Sequence, residues 1–307
     1  MLADCPPIPD NVPMANYLQL MHELYTVAKS GELLRPDRTS VSTYSVFGRT
    51  LRFNLQKGFP LLTARKLPWK SVCVELCWFL LGRTDHEYLL ERGCKFWDGW
   101  VGGNKDLGPI YGSQWRNFNG VDQIAVLIEQ LKTNPYSRRH VVSAWNPAVL
   151  PDVSLSPNTN ADNGRMSLAP CHYSFQCYVS PPAKEGDRPR LSLQFTMRSS
   201  DVFLGLPNNI ASYALLTHLL ALWCDYEPYE LLYAGTDVHL YSNHFEACGQ
   251  LLTNAQRPDL APLPCLELSR QLRDQSGFTV ETADPVLLSA CLRDYSPCPA
   301  IQAVIAI

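Results

Sequence analysis

The stretch "NIASYALLTHLLALWC" (209–224) is apolar on nearly every side of a 3.6-residue helix, leaving no face suited to water. Such a helix must be central and enclosed, so the remaining elements have to pack around it. With 307 residues, 46% apolar and 18% charged, the chain can supply that core. Two adjacent asparagines, Asn208 and Asn209, stand at the mouth of this helix. Capping of an orphan backbone N–H explains one of them and leaves the other unexplained.

Elsewhere the periodicity is readable. "MANYLQLMHELYTVAKSGE" spaces Leu18, Met21, Leu24 and Val27 as one helical face that stops near Gly31. "PWKSVCVELCWFLLG" predicts a helix between Pro68 and Gly82, with Glu75 on its apolar side. "CHYSFQCYV" and "RLSLQFTMRSSD" alternate as strands, and "GTDVHLYSNHF" sets Asp237, His239 and Tyr241 on one side of a third. "SPPAKEGDRPR" reads as a surface connection, and "SLSPNTNADNGRM" (154–166) as a polar, inserted loop without a packing pattern. With no repeat, linker or boundary, the expectation is one α+β domain over 14–307, preceded by a flexible tail over 1–13.

A net charge of -3 carries no broad basic footprint, so neither DNA nor a membrane is an expected partner. No segment is long and apolar enough to span a bilayer, and no basic-then-apolar leader opens the chain. Eleven cysteines without Cys-x-x-Cys spacing fit reduced thiols in a cytoplasm, and no metal site is expected.

Several residues admit a chemical and a plain structural reading. Cys171 between Pro170 and His172 is either a nucleophile activated near Arg198 or a buried thiol. Glu75 is either a proton-transfer group or a salt-bridged core glutamate. Arg138 and Arg139 either bind an anion or are a solvated pair, since neighbours on a strand face opposite ways. Trp97 and Trp100 in "FWDGW" either stack on a planar ligand or fill core.

Together the motifs "DRTSVSTYSVFG", "FPLLTARK", "VELCWFLLG", "FWDGW", "DLGPIYGSQWR", "SRRHVVSAWNP", "LAPCH", "RSSDVFLGLPNNIASYALLTH" and "DVHLYSNH" resemble, in order, those of the thymidylate synthase family. The likeness runs from about Tyr17 to the closing "IQAVIAI". It implies a thymidylate synthase-like fold: a large twisted mixed β-sheet at a homodimer interface, surrounded by helices. It implies dUMP as substrate and 5,10-methylenetetrahydrofolate as co-substrate. By this resemblance Cys171 attacks carbon 6 of the pyrimidine, while Glu75, Tyr111 and His172 form the water and proton-transfer network. Arg38, Arg198 and Ser199 hold the phosphate, joined by Arg138 and Arg139 of the partner subunit. His239 and Tyr241 hold the sugar hydroxyl, and Asn209 reads the base. Trp97, Trp100, Asp201, Gly205, Asn208 and Ala306 fall at folate-lining positions.

The resemblance also fixes the base. A carboxamide donates to a carbonyl and accepts from a ring N–H, which suits uracil at Asn209. The related phage deoxycytidylate hydroxymethylases carry aspartate there. Asn208 departs from the family, which typically has phenylalanine at this place. An aromatic wall favours hydride transfer in a dry cavity, whereas a carboxamide can hold water. "RTSVST" and "TMRSSD" depart as well. The expected reaction is therefore dUMP hydroxymethylation, yielding 5-hydroxymethyl-dUMP and tetrahydrofolate, as in a virus that replaces thymine in its DNA. Thymidylate synthesis, giving dTMP and dihydrofolate, is the alternative, and Trp97, Trp100 and the full tail suit it. A silent nucleotide-binding protein would have no need of the thiol together with the proton network.

Overall fold

The computed structural model describes residues 6–31, 34–36 and 41–305. Strands β1 (Leu34–Arg35), β2 (Thr43–Asn54), β3 (Val141–Ser143), β4 (His172–Ser180), β5 (Arg190–Asp201) and β6 (Glu227–Tyr241) form one mixed sheet in the order β1-β2-β6-β5-β4-β3. All neighbours are antiparallel except β5 and β6. A parallel pair requires a crossover, and the apolar helix Gly205–Cys224 supplies it. Sixteen of its twenty residues are buried, and it packs on both β5 and β6. Its composition thus matches its position: a sheet on one side, and the helices Trp69–Leu80 and Gln123–Thr133 on others.

The helix Ala15–Ser30 ends where expected, at Gly31 with φ 75°, and lies against β2 and the helix Phe245–Ala255. Ahead of it, Ile8 is buried and the Pro6 carbonyl accepts from Gln256 Nε2. The opposite face of the sheet is uncovered in the single chain, with Phe47 82% and Tyr178 65% exposed.

Two local expectations are corrected. The asparagines do not sit at the cap of the central helix, which begins at Gly205 with Leu204 in the N-cap place. Asp201 holds the turn that leads into it, its Oδ1 accepting from the N–H groups of Phe203 and Leu204, and no side chain caps the helix itself. Residues 154–166 are not a plain polar loop either. They carry the helix Pro157–Asp162, capped by Ser156, with Asn160 and Met166 buried. Asn160 satisfies its amide on the carbonyls of Asp152, Leu155 and Ser156, which removes the cost of burying it. Gly108, at φ +71°, lets this segment close down: a Cβ there would lie 1.9 Å from the Arg165 carbonyl oxygen.

Among the described residues no helix is long and apolar enough to cross a membrane, and no two cysteines are joined in a disulfide.

Candidate active site

Two cavities, of about 520 and 320 Å³, adjoin at the C-terminal ends of β5 and β6, and Cys171, Asn209, Trp100, Asp201 and Gly205 line both. Sheet register explains the smaller one. Ser45 and Thr43 on β2 lie opposite His239 and Tyr241 on β6, while Ser199 and Asp201 on β5 lie opposite Asp237 and His239. The two-residue period thus delivers polar side chains of three strands to one edge of the cavity. The shared side of Asp237, His239 and Tyr241 read from the sequence is observed.

Cys171 directly precedes β4, and its neighbourhood is fixed by bonds from two other elements, the helix Tyr111–Arg116 and β5. Its N–H donates to Tyr111 Oη at 2.7 Å, and its carbonyl accepts from Arg198 N–H at 2.9 Å. The Arg198 guanidinium, from the adjacent strand, donates to the carbonyls of Pro170 and Ala169. A register shift between His172 and Ser174 marks a β-irregularity at the start of the strand, a local device that re-aims side chains. Arg198 and Ser199 line the smaller cavity beside the thiol.

The larger cavity is lined by three titratable groups, Glu75, His172 and Tyr111. Glu75 projects from the buried helix Trp69–Leu80, and Trp97 Nε1 donates to its Oε1 at 2.8 Å. Burial pushes the Glu75 carboxyl up to about 7, with the Trp97 bond opposing. A carboxyl near 7 can give or take a proton at neutral pH. His172 moves the other way: burial brings its imidazole down to about 3, so it stays neutral. Its Nδ1 meets Tyr213 Oη at 2.8 Å, and its ring stacks on Tyr111 at 4.1 Å. Burial raises the Tyr111 phenol well above its ordinary range, so it remains protonated.

Trp97 is both core and wall. It is buried, lines the larger cavity and meets Trp100 edge-on at 6.0 Å. On the far side Ile301, Ala303 and Ile305 close the cavity over these rings. His244 Nε2 and the Val304 carbonyl oxygen lie 2.7 Å apart, which ties the closing segment down. An apolar slot between indoles and aliphatics, with Asp201 and Asn208 as polar groups, has the character of a site for a flat heteroaromatic ligand.

Asn208 is the fourth residue of its helix. Its Nδ2 donates back to the Leu204 carbonyl at 2.8 Å, while Oδ1 is buried without a protein partner. Gly205 lines both cavities, and a Cβ there would meet only Asn209 Oδ1 at 3.7 Å and Asp201 Cβ at 3.8 Å. The fold itself therefore does not demand glycine; the open space does. Gly205→Ala is expected to keep or slightly raise thermal stability, by up to about 1 kcal/mol from helix propensity, while weakening ligand binding at the cavity wall. A melting scan with ligand titration checks both halves.

Not every expected residue converges here. Arg138 and Arg139 are exposed and line neither cavity of their own chain. Arg38 and Ala306 lie outside the described residues. Two contributors escaped the sequence reading. Tyr213, in the central helix, holds His172, and Arg65, buried at the rim of the larger cavity, donates to the Phe203 carbonyl and lies 4.3 Å over the Phe203 ring. Arg65 had a signal: an arginine inside the apolar run "FPLLTARKLP", the same anomaly that singled out Glu75.

The family model for thymidylate synthase matches residues 15–307, and the chain belongs to that family. Folate-dependent one-carbon transfer to dUMP is the chemistry of its members, which are generally dimeric.

Proposed function

We propose that this member of the thymidylate synthase family is a dUMP hydroxymethyltransferase that finishes its reaction with water. The observation carrying this reading is Asn208: a buried amide oxygen without a protein donor, in the wall of the cavity that holds Cys171. Such an oxygen lacks a compensating donor, and rotation of the side chain toward the cavity that it lines would let a water molecule supply one.

In this reading the smaller cavity takes dUMP. Arg198 and Ser199 hold the phosphate, His239 and Tyr241 the sugar, and Asn209 the uracil edge. The Cys171 thiolate adds to carbon 6, which makes carbon 5 the nucleophile. Methylenetetrahydrofolate, seated against Trp97, Trp100, Asp201, Gly205 and Asn208, supplies the one-carbon unit. Glu75, poised near 7, handles the protons with Tyr111 and neutral His172 around it. Once tetrahydrofolate has left, water oriented by Asn208 adds its oxygen to the exocyclic methylene. Loss of Cys171 from carbon 6 then releases 5-hydroxymethyl-dUMP. The exposed sheet face carrying Phe47 and Tyr178 is the dimer surface, across which Arg138 and Arg139 reach the partner's phosphate site.

A second reading has its own observation. Trp97, Trp100 and the roof of Ile301, Ala303 and Ile305 make a largely apolar enclosure, which favours hydride transfer and thus thymidylate synthesis. Product partition in Asn208→Phe separates the two. Restoring an aromatic wall is expected to move at least about tenfold of the product ratio from 5-hydroxymethyl-dUMP towards dTMP, a difference of about 1.4 kcal/mol between the two barriers. An unchanged ratio would mean that Asn208 has no part in choosing water over hydride.

A further inference from the structure

One carboxylate at the smaller cavity has no part in the roles given so far. Asp237 on β6 accepts from three directions. Ser45 Oγ on β2 donates to its Oδ1 at 2.7 Å, Arg35 Nη1 on β1 donates to its Oδ2 at 3.0 Å, and His239 Nδ1 lies 3.1 Å from Oδ1. The sheet builds this cluster without strain. His239 is two residues on from Asp237 on the same face, and Ser45 is the cross-strand partner of His239.

We infer that Asp237 is a positioning residue: held by Ser45 and Arg35, it keeps the proton of His239 on Nδ1 and leaves Nε2 as an acceptor for a hydroxyl of the nucleotide sugar. This rests on the assignment of the smaller cavity to dUMP. A carboxylate only accepts, so its contact with His239 requires an N–H at Nδ1. In a neutral imidazole the other nitrogen then carries the lone pair, and the bond made by one ring nitrogen sets what the second offers a ligand. His239 is buried and lines the cavity, leaving Nε2 as its ring atom for a bound molecule. The His239 contact, followed by those of Ser45 and Arg35, holds the Asp237 carboxyl well below the usual carboxylate range, so it remains an acceptor throughout the working pH range.

The decisive substitution is Asp237→Asn, because Arg35 settles which way the amide points. A guanidinium donates and never accepts, so the amide oxygen must take the Oδ2 place beside Arg35. The NH₂ then faces His239 Nδ1 and forces the proton onto Nε2, as an aspartate-to-asparagine change behind a histidine does elsewhere. A merely structural role for Asp237 predicts no tautomer change.

The test uses the full chain with ¹⁵N-labelled histidine. Ring nitrogen shifts of His239 in the ligand-free protein are expected to report Nδ1–H in the parent and Nε2–H in Asp237→Asn. In turnover, KM for dUMP should rise about tenfold or more in the variant, with kcat changed by less than about threefold. The preference for dUMP over its 3′-deoxy analogue should fall about tenfold. Nε2–H in the parent, or an unchanged tautomer in the variant, would overturn the inference, and the parent spectrum decides even if the variant fails to fold. Because the spectra need no nucleotide, a protein that ignores dUMP but shows Nδ1–H would sink the substrate assignment and leave the tautomer lock standing. Equal losses for dUMP and its 3′-deoxy analogue would end the sugar role.

Discussion

Cys171→Ala is expected to lower turnover by on the order of 10⁴-fold or more, because it removes the bond-forming atom rather than a supporting contact. Binding of dUMP should change by less than roughly threefold, about 0.6 kcal/mol, since the proposed phosphate, sugar and base contacts come from other side chains. The loop itself should stay in place. Its fixed points are the backbone N–H to Tyr111 and the Arg198 bonds to the carbonyls of Cys171, Pro170 and Ala169, none of which involves sulfur. Single-turnover kinetics with calorimetric dUMP titration check the pair. Turnover equal to the parent would end the covalent mechanism, and loss of binding would mean that the thiol organises the site.

Glu75→Gln carries the second large effect and a sign that distinguishes function from structure. Removing a proton carrier poised near neutrality should lower kcat by roughly 10²- to 10⁴-fold. The same change should stabilise the fold at alkaline pH. The Glu75 carboxyl is raised from 4.5 to about 7 by burial, so the native state keeps a proton that the unfolded chain has released. Between those two values the unfolded state binds fewer protons, and stability falls as pH rises. The penalty is absent below about 4.5, grows to about 7 and is constant above it, reaching about 3 kcal/mol from the size of the shift. Glutamine keeps the acceptor that Trp97 uses and cannot ionise, so urea melts at pH 8 should show the variant more stable than the parent, with the gap closing by pH 4.5. A variant less stable at both pH values would mean that an ionised Glu75 holds the core together.

Much of this site was legible because its residues break a pattern. Glu75 interrupts an apolar helix face, and the alternation in "GTDVHLYSNHF" announces three polar side chains on one face of a strand. The central helix was legible for the opposite reason, since an all-round apolar segment has no surface location to occupy. What failed needed partners that residue type alone does not reveal. Asn208 and Asn209 suggest caps because nothing in the residue types says that the helix begins at Gly205, behind a turn held by Asp201. Residues 154–166 looked like loose loop because Asn160 is polar by type, yet its burial depends on carbonyls supplied by the turn that it helps to close. Tyr213 was invisible as a partner of His172: within an apolar helix a tyrosine reads as core, and its hydroxyl meets a ring 41 residues away in sequence. Arg138 and Arg139 mark a different limit. Their exposure in one chain agrees equally with solvent and with a second subunit.

Whether water or hydride completes the reaction is read directly from the products. Purified protein would be given dUMP and methylenetetrahydrofolate, with nucleotides separated by mass and dihydrofolate followed by its absorbance. Completion by water gives a nucleotide heavier than dTMP by one oxygen, formed without dihydrofolate, and this is the expected result. Stoichiometric dTMP and dihydrofolate would mean that hydride completes the reaction, in a thymidylate synthase where Asn208 is a tolerated substitution.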